Sequence, residues 1–164
     1  GSDRHLAEIR REVGIPLLRK DFIIDMFQIE QSARLGADAV LLICAIIAPE
    51  ELPDYIKEAD RFGLSCIVEV HDKIELNAAV DAGARVIGAN NRNLKTFEVD
   101  TGNSIRLKKL APKEAIFVSE SGIKTAEDVD VLRKHGIDAA LIGETLMRSS
   151  DKKAALAALR GETE

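Results

Sequence analysis

The sequence predicts an α/β fold in which parallel strands alternate with covering helices and close toward a barrel. Three observations predict it. An amphipathic stretch, a glycine turn and a short apolar run recur along the chain, with no linker or low-complexity segment between them. The apolar runs are hydrophobic on both faces, as buried parallel strands are. Most of them then turn polar at the C-terminal end, in Lys20, Glu69, Asn90 and Glu120. A closed parallel barrel gathers such ends on one face. A doubly wound sheet, which six units would also fit, concentrates its chemistry at one crevice beside a switch point. Chemistry on four separate strand ends favours the barrel.

The elements follow in order. A first helix is expected over residues 3–13, where Leu6, Ile9 and Val13 recur at helical spacing. Gly14 stops it, and Pro16-Leu17-Leu18 opens a strand that ends near Lys20. A helix over residues 26–35 is closed by Gly36, because glycine takes the left-handed cap conformation without strain. Residues 39–43 form the next strand. Pro49 starts a helix, where a missing N–H is harmless, and Gly63 ends it. Residues 66–70 are a strand, 73–82 a helix ending at Gly83, and 86–89 a strand. A longer connection leads to a helix around 104–110, a strand over 115–118 and a helix over 126–134 that Gly136 caps. A strand over 139–142 and a helix over 152–159 complete six strand–helix units with one helix in front. Residues 1–164 read as a single partial (β/α)-barrel domain.

Composition narrows the function classes. The chain has 164 residues, enough for one domain with a core, and 46% are hydrophobic and 31% charged, the balance of a globular protein. Aromatics are 4% with no Trp, which argues against base stacking on single-stranded nucleic acid. A net charge of −5 argues against broad phosphate-backbone binding, yet permits a few cations in a cleft for a small phosphorylated substrate. No nucleic-acid partner is expected. The apolar run over residues 39–48 is too short to span a bilayer and no signal peptide is visible. Cys44 and Cys66 lie singly within apolar runs, as reduced thiols do. Together these predict a cytoplasmic protein with no membrane partner.

The strand-end residues carry the candidate chemistry, each with a plainer reading beside it. Lys20 is a cation at a strand end, or a solvated terminus. Glu69 lies inside Ile67-Val68-Glu69-Val70, where an unpaired charge is costly, so it is paired or functional. Lys20 is its natural partner, and the pair is either chemical or a structural ion pair. Asn90-Asn91-Arg92-Asn93 is a binding segment or a polar turn. His71-Asp72 reads as a helix start, not as a His–Asp catalytic pair. The three His show no metal-ligand spacing. Two glycine turns, Ser119-Glu120-Ser121-Gly122-Ile123 and Ile142-Gly143-Glu144-Thr145, follow the last two strands. Glycine lets a backbone approach an anion closely, helix N-termini offer free N–H groups, and barrels place phosphate after their last strands. Glu144 fits beside phosphate if its side chain turns away.

Five blocks, in order and across essentially the whole chain, carry a resemblance. They are Pro16-Leu17-Leu18-Arg19-Lys20-Asp21-Phe22-Ile23, Val68-Glu69-Val70-His71, Ile87-Gly88-Ala89-Asn90-Asn91-Arg92-Asn93-Leu94, Ser119-Glu120-Ser121-Gly122-Ile123 and Gly143-Glu144-Thr145-Leu146-Met147-Arg148. With them the chain resembles the indole-3-glycerol phosphate synthase family of tryptophan biosynthesis. The resemblance implies a TIM (β/α)8 barrel, of which the six strands here would be strands three to eight. It implies a carboxy-lyase acting on 1-(2-carboxyphenylamino)-1-deoxyribulose 5-phosphate, closing the pyrrole ring with loss of carbon dioxide and water. Lys20 would be the general acid of ring closure and Glu69 the base of the dehydration. Asn90 and Arg92 would orient the anthranilate ring and its carboxylate, and Glu120 would face the substrate hydroxyls. Ser121, Gly122, Gly143 and Glu144 would give backbone groups to the phosphate. No redox step occurs, so no nicotinamide, flavin or metal cofactor is expected.

The family's chain is longer at its N-terminus. Its first two strands, the mobile loop after the first, and a carboxylate and lysine there are expected to be missing. The chain alone is then expected to have little or no turnover, and open barrel edges to favour self-association. Two alternatives stand beside this reading: another phosphate-binding barrel enzyme such as a ribulose-phosphate isomerase, and a non-catalytic barrel fragment that assembles with itself or another chain.

Overall fold

The computed structural model describes residues 2–162. Six parallel strands are β1 (Leu18–Arg19), β2 (Ala39–Ile43), β3 (Ser65–Val70), β4 (Val86–Asn90), β5 (Ile116–Glu120) and β6 (Ala139–Leu141). Eight helices are α1 (Asp3–Glu12), α2 (Phe27–Arg34), α3 (Leu52–Arg61), α4 (Lys73–Asp81), α5 (Gly102–Lys108), α6 (Ala126–Lys134), α7 (Glu144–Arg148) and α8 (Lys152–Leu159). The strands lie in the sheet in chain order, β1 to β6, with none skipped. A doubly wound sheet reverses its order at a switch point. This one runs straight through and forms a half-barrel, as the polar strand ends predict.

Alternation along each strand divides the sheet into two faces. On the helix side Val40, Leu42, Val68, Val70, Ile87, Ala89 and Phe117 pack with Ile29, Leu52, Ala59, Leu76, Ala79 and Leu107 in one buried cluster. Leu41, Ile43 and Val118 are buried outside that cluster, on the inner face. The inner face turns polar where strands end. Ile43 pairs with Glu69, Glu69 with Gly88, and Asn90 with Glu120. Register therefore delivers the candidate residues to neighbouring positions on one end of the sheet.

Two aspartates pin that register. Asp38, just before β2, accepts the Leu17 backbone N–H at 2.6 Å. Asp138, just before β6, accepts the Phe117 backbone N–H at 2.8 Å. Arg10 holds the first at 2.7 Å and Lys108 the second at 3.2 Å. The backbone N–H is the largest influence on each carboxyl and holds it below its ordinary range. On the helix side, Arg19 is nearly buried and donates to Gln31 Oε1, Ser32 Oγ and Asp3 Oδ1, tying β1 to α1 and α2.

Several element boundaries depart from expectation. Helix α1 stops at Glu12 and β1 pairs over two residues only. Pro49 lies in a turn closed by the Glu51 N–H on the Ala48 carbonyl, and the proline in the first turn of α3 is Pro53. Strand β5 extends to Glu120, so that carboxylate belongs to the strand. Helix α7 was not expected, because five residues are too few to show a helical period. Gly36 caps α2 with φ of 87°, and a Cβ there would also crowd Arg10 Cγ at 2.6 Å. Cys66 is buried and Cys44 half-buried, and burial pushes both thiols up to about 12. Among the described residues no helix is long and apolar enough to cross a membrane.

Candidate active site

Lys20, one residue beyond β1, reaches across the strand ends toward two carboxylates. Its Nζ stands 3.7 Å from Glu69 Oε2 and 3.8 Å from Glu120 Oε2. The ammonium is half exposed, while Glu69 and Glu120 are each 1% exposed. Burial costs a carboxylate its hydration, so charge there needs compensation. Glu69 receives some: Asn90 Nδ2 donates to its Oε1 at 3.1 Å. Among the described residues neither oxygen of Glu120 has a hydrogen-bond partner, nor do Glu69 Oε2 and His71 Nε2. Two ionised carboxylates have no hydrogen to share, whereas one proton between them would satisfy both. Burial, and then the neighbouring Glu69, push Glu120 up to about 7.

Asn90 organises the next layer. Its Oδ1 accepts from Ser121 Oγ and from the Arg92 backbone N–H, both at 2.9 Å. Asn91 works behind the site, donating to Ser119 Oγ and the Ser121 carbonyl and accepting the Ser104 N–H. Arg92 Nη2 meets Glu144 Oε2 at 2.8 Å, and Arg148 Nε meets Glu144 Oε1 at 3.0 Å. The Arg92 bond, ahead of the other influences, holds the Glu144 carboxyl below its ordinary range. The Glu144 side chain is thus engaged by two guanidinium groups.

The two glycine turns follow β5 and β6. Ser121 and Gly122 are both left-handed, with φ of 68° and 81°. For serine this conformation is strained, and strain of this kind gathers at functional sites. A Cβ on Gly122 would meet Val99 Cγ1 at 2.5 Å and Thr101 Cγ2 at 2.9 Å. Gly143 precedes α7 with open space around it, and Thr145 Oγ1 donates to the Ile123 carbonyl at 2.7 Å, joining the two turns. Lys20, Arg92, Ser121, Gly122, Gly143 and Glu144 all line one cleft of about 940 Å³. Lys124 and Arg148 also line it, so four cations face this cleft in a chain of net charge −5.

Lys20, Glu69, Asn90, Glu120 and Ser121 form one connected set, and Arg92 joins it through its backbone. Three residues escaped the sequence reading. Asp72 does start α4, accepting the Ile74 and Glu75 N–H groups, but the His71 ring turns to Glu69 Oε1 at 3.4 Å. Asn103 Nδ2 donates to the His71 and Asn90 carbonyls, from a long connection whose path no local pattern reveals. Gly88 lies on β4 where a side chain would collide with Glu120, and the only signal was a glycine inside a strand.

Comparison with known proteins shows the family of the chain. The family model of indole-3-glycerol phosphate synthase matches residues 1–159. The chain is 58% identical over 161 residues to the indole-3-glycerol phosphate synthase of Ruminiclostridium cellulolyticum, covering 98% of this chain and 62% of that protein. It is 54% identical to that of Endomicrobium trichonymphae, covering 92% of this chain and 58% of the relative. It therefore spans about 60% of the length of these relatives. Among solved structures, 3-hexulose-6-phosphate synthase from Salmonella typhimurium superposes with a TM-score of 0.81 at 16% identity, covering 98% of this chain and 81% of that one. Thiamine phosphate pyrophosphorylase from Pyrococcus furiosus gives 0.74 at 18% identity, covering 99% and 77%. At such identities these two speak for the fold alone. Identity to the curated relatives, by contrast, exceeds half of the aligned positions, and with the family model taking in nearly every residue, the chain belongs to the indole-3-glycerol phosphate synthase family.

Proposed function

We propose that the chain supplies the ring-closing site of an indole-3-glycerol phosphate synthase, acting on 1-(2-carboxyphenylamino)-1-deoxyribulose 5-phosphate. The observation that carries this reading is the Lys20 ammonium within 4 Å of two buried carboxylates, beside a cation-lined cleft. An aromatic carbon attacks the ketone of the substrate's sugar chain. Charge builds on the ketone oxygen, and Lys20 gives it a proton. The ring regains aromaticity as its carboxyl group leaves as carbon dioxide. The new hydroxyl then departs as water, taking up a proton from solvent, while Glu69 takes a proton from the carbon beside nitrogen.

The remaining roles follow from position. Asn90 holds Glu69 by its amide and Ser121 by its carbonyl oxygen, so it couples the base to the turn that would face phosphate. Arg92 binds the anthranilate carboxylate, exchanging its Glu144 partner for the substrate. Glu120, carrying a proton up to about pH 7, donates to the sugar hydroxyls. Backbone groups of Ser121, Gly122, Gly143 and Glu144 receive the phosphate, with Arg148 and Lys124 adding charge at the rim.

The test is direct turnover. A polypeptide of the relatives' full length that contains this chain is mixed with the substrate, and indole fluorescence and released carbon dioxide are followed. Equal amounts of indole-3-glycerol phosphate and carbon dioxide are expected. Isomerised sugar phosphate with no carbon dioxide would refute the assignment in favour of an isomerase.

A further inference from the structure

Two buried carboxylates beside one ammonium need something to tell them apart. Lys20 does not, since it lies 3.7 Å from one and 3.8 Å from the other. Asn90 and His71 do. Asn90 Nδ2 donates to Glu69 Oε1 at 3.1 Å, and His71 Nε2 stands 3.4 Å from the same oxygen. Among the described residues both oxygens of Glu120, Glu69 Oε2 and His71 Nε2 are buried without a hydrogen-bond partner, so His71 acts on Glu69 by charge at 3.4 Å, and Asn90 gives the one hydrogen bond that Glu69 receives and Glu120 lacks.

The His71 ring is fixed from behind. Its Nδ1 meets Glu75 Oε2 at 3.0 Å, and the same oxygen accepts the His71 backbone N–H at 2.7 Å. Asn103 Nδ2 donates to the His71 carbonyl at 3.0 Å. With Nδ1–H given to Glu75, Nε2 is the atom turned toward Glu69, the arrangement by which a carboxylate behind a histidine fixes ring orientation. Asp72 alone caps α4, so the helix start leaves the ring's placement unexplained.

We propose that His71, held by Glu75, is a positioning residue for the carboxylate pair: it keeps negative charge on Glu69 and leaves the shared proton on Glu120. The inference rests on the reading of Glu69 as the base and deepens it, since a base must be ionised when substrate arrives. Like charges this close separate into one ionised and one protonated member, and the asymmetry of the surroundings decides which is which. Lys20 after β1 faces both members. Asn90 on β4 and His71 after β3 face Glu69. Glu75 on α4 faces His71. Burial opposes charge on the ring, and the carboxylates of Glu75, Glu69 and Glu120 overcome it, so the His71 pKa is raised. The ring therefore keeps its positive charge beside Glu69 to higher pH than a free imidazole does.

The experiment is carboxyl carbon NMR of glutamate-labelled chain, with His71→Asn and Glu75→Gln as variants. It is read near pH 6, below the value of about 7 where Glu120 titrates. In the unaltered chain the Glu120 signal is expected at its protonated position and the Glu69 signal at its ionised position. His71→Asn moves Glu69 toward the protonated position and Glu120 toward the ionised one. Glu75→Gln moves both the same way by less, because it keeps the ring and a bond to the His71 backbone, and it decides the matter should His71→Asn not fold. Both signals unmoved in a folded variant would overturn the proposal. A parallel readout uses the full-length polypeptide, where kcat of either variant is expected to fall about tenfold at neutral pH, with its acid limb displaced to higher pH. The NMR arm needs no substrate. Signals that exchange without any turnover would uphold the proton placement and sink the synthase reading, and turnover with unmoved signals would do the reverse.

Discussion

Gly88 leaves the space that the carboxylate of Glu120 fills. It stands on β4 beside Glu69 of β3, and a Cβ there would collide with Glu120 Oε1 and press Ile67 Cγ2 at 2.9 Å. Glu120 is buried and cannot yield freely, while Ile67 is only partly buried. Gly88→Ala should therefore lower stability by about 1–3 kcal/mol, as overpacking does. It should also turn the Glu120 carboxylate out of its slot. Differential scanning calorimetry checks the first effect, and the Glu120 carboxyl titration the second. A variant as stable as the parent, with the Glu120 titration unmoved, would show that the slot is not shaped by this glycine.

Stability should depend on pH through Glu120 in an unusual direction. Its carboxyl is raised from 4.5 to about 7 by burial and by Glu69. Over that window the folded chain binds more protons here than the unfolded chain, so this contribution to stability is present at low pH and lost as pH rises toward 7. Glu120→Gln removes the titration and keeps the shape. Its melting temperature should match the parent near pH 5 and exceed it near pH 8. An equal or lower value near pH 8 would mean that ionised Glu120 is stabilised where it stands.

The aspartate at the start of β6 should matter for folding and not for chemistry. Asp138 holds the Phe117 N–H at 2.8 Å and pairs with Lys108 at 3.2 Å. Asp138→Ala leaves that N–H without its partner and should cost about 1–2 kcal/mol. Asp138→Asn, which keeps an acceptor, should recover most of it. Urea titration of the three proteins gives the ordering directly.

Gly122 answers a different question. Its φ of 81° and the nearness of Val99 Cγ1 and Thr101 Cγ2 leave no room for a methyl group. Gly122→Ala should lose about 1–3 kcal/mol through backbone strain. It should also weaken binding of inorganic phosphate, measured by calorimetry, because the turn would open. Undiminished phosphate affinity would remove this turn from the binding site.

Much of this was legible in the sequence. Strand and helix order followed from apolar runs and their glycine stops, since glycine at a helix end has a physical cause visible one residue at a time. Lys20, Glu69, Asn90 and Glu120 stood out as polar residues closing apolar strands. What escaped depended on register or on long connections. That Glu69 faces Gly88, and that Asn90 faces Glu120, is decided by strand pairing. The two bonds from Asn103 come from thirteen and thirty-two residues away. His71 was legible as a helix start, yet its ring orientation depends on Glu75 one helical turn later. Pro49 misled because a proline before a helix and a proline inside its first turn look alike without the turn at Ala48.

The central claim is that Glu69 is a catalytic base and not half of a structural ion pair. The most direct measurement compares Glu69→Gln with the parent, in a polypeptide of the relatives' full length, for turnover of 1-(2-carboxyphenylamino)-1-deoxyribulose 5-phosphate and for thermal stability. A base predicts kcat lower by about 10²–10⁴-fold with the melting temperature kept or raised. Turnover retained alongside a lowered melting temperature would make the Lys20–Glu69 pair structural and contradict the account.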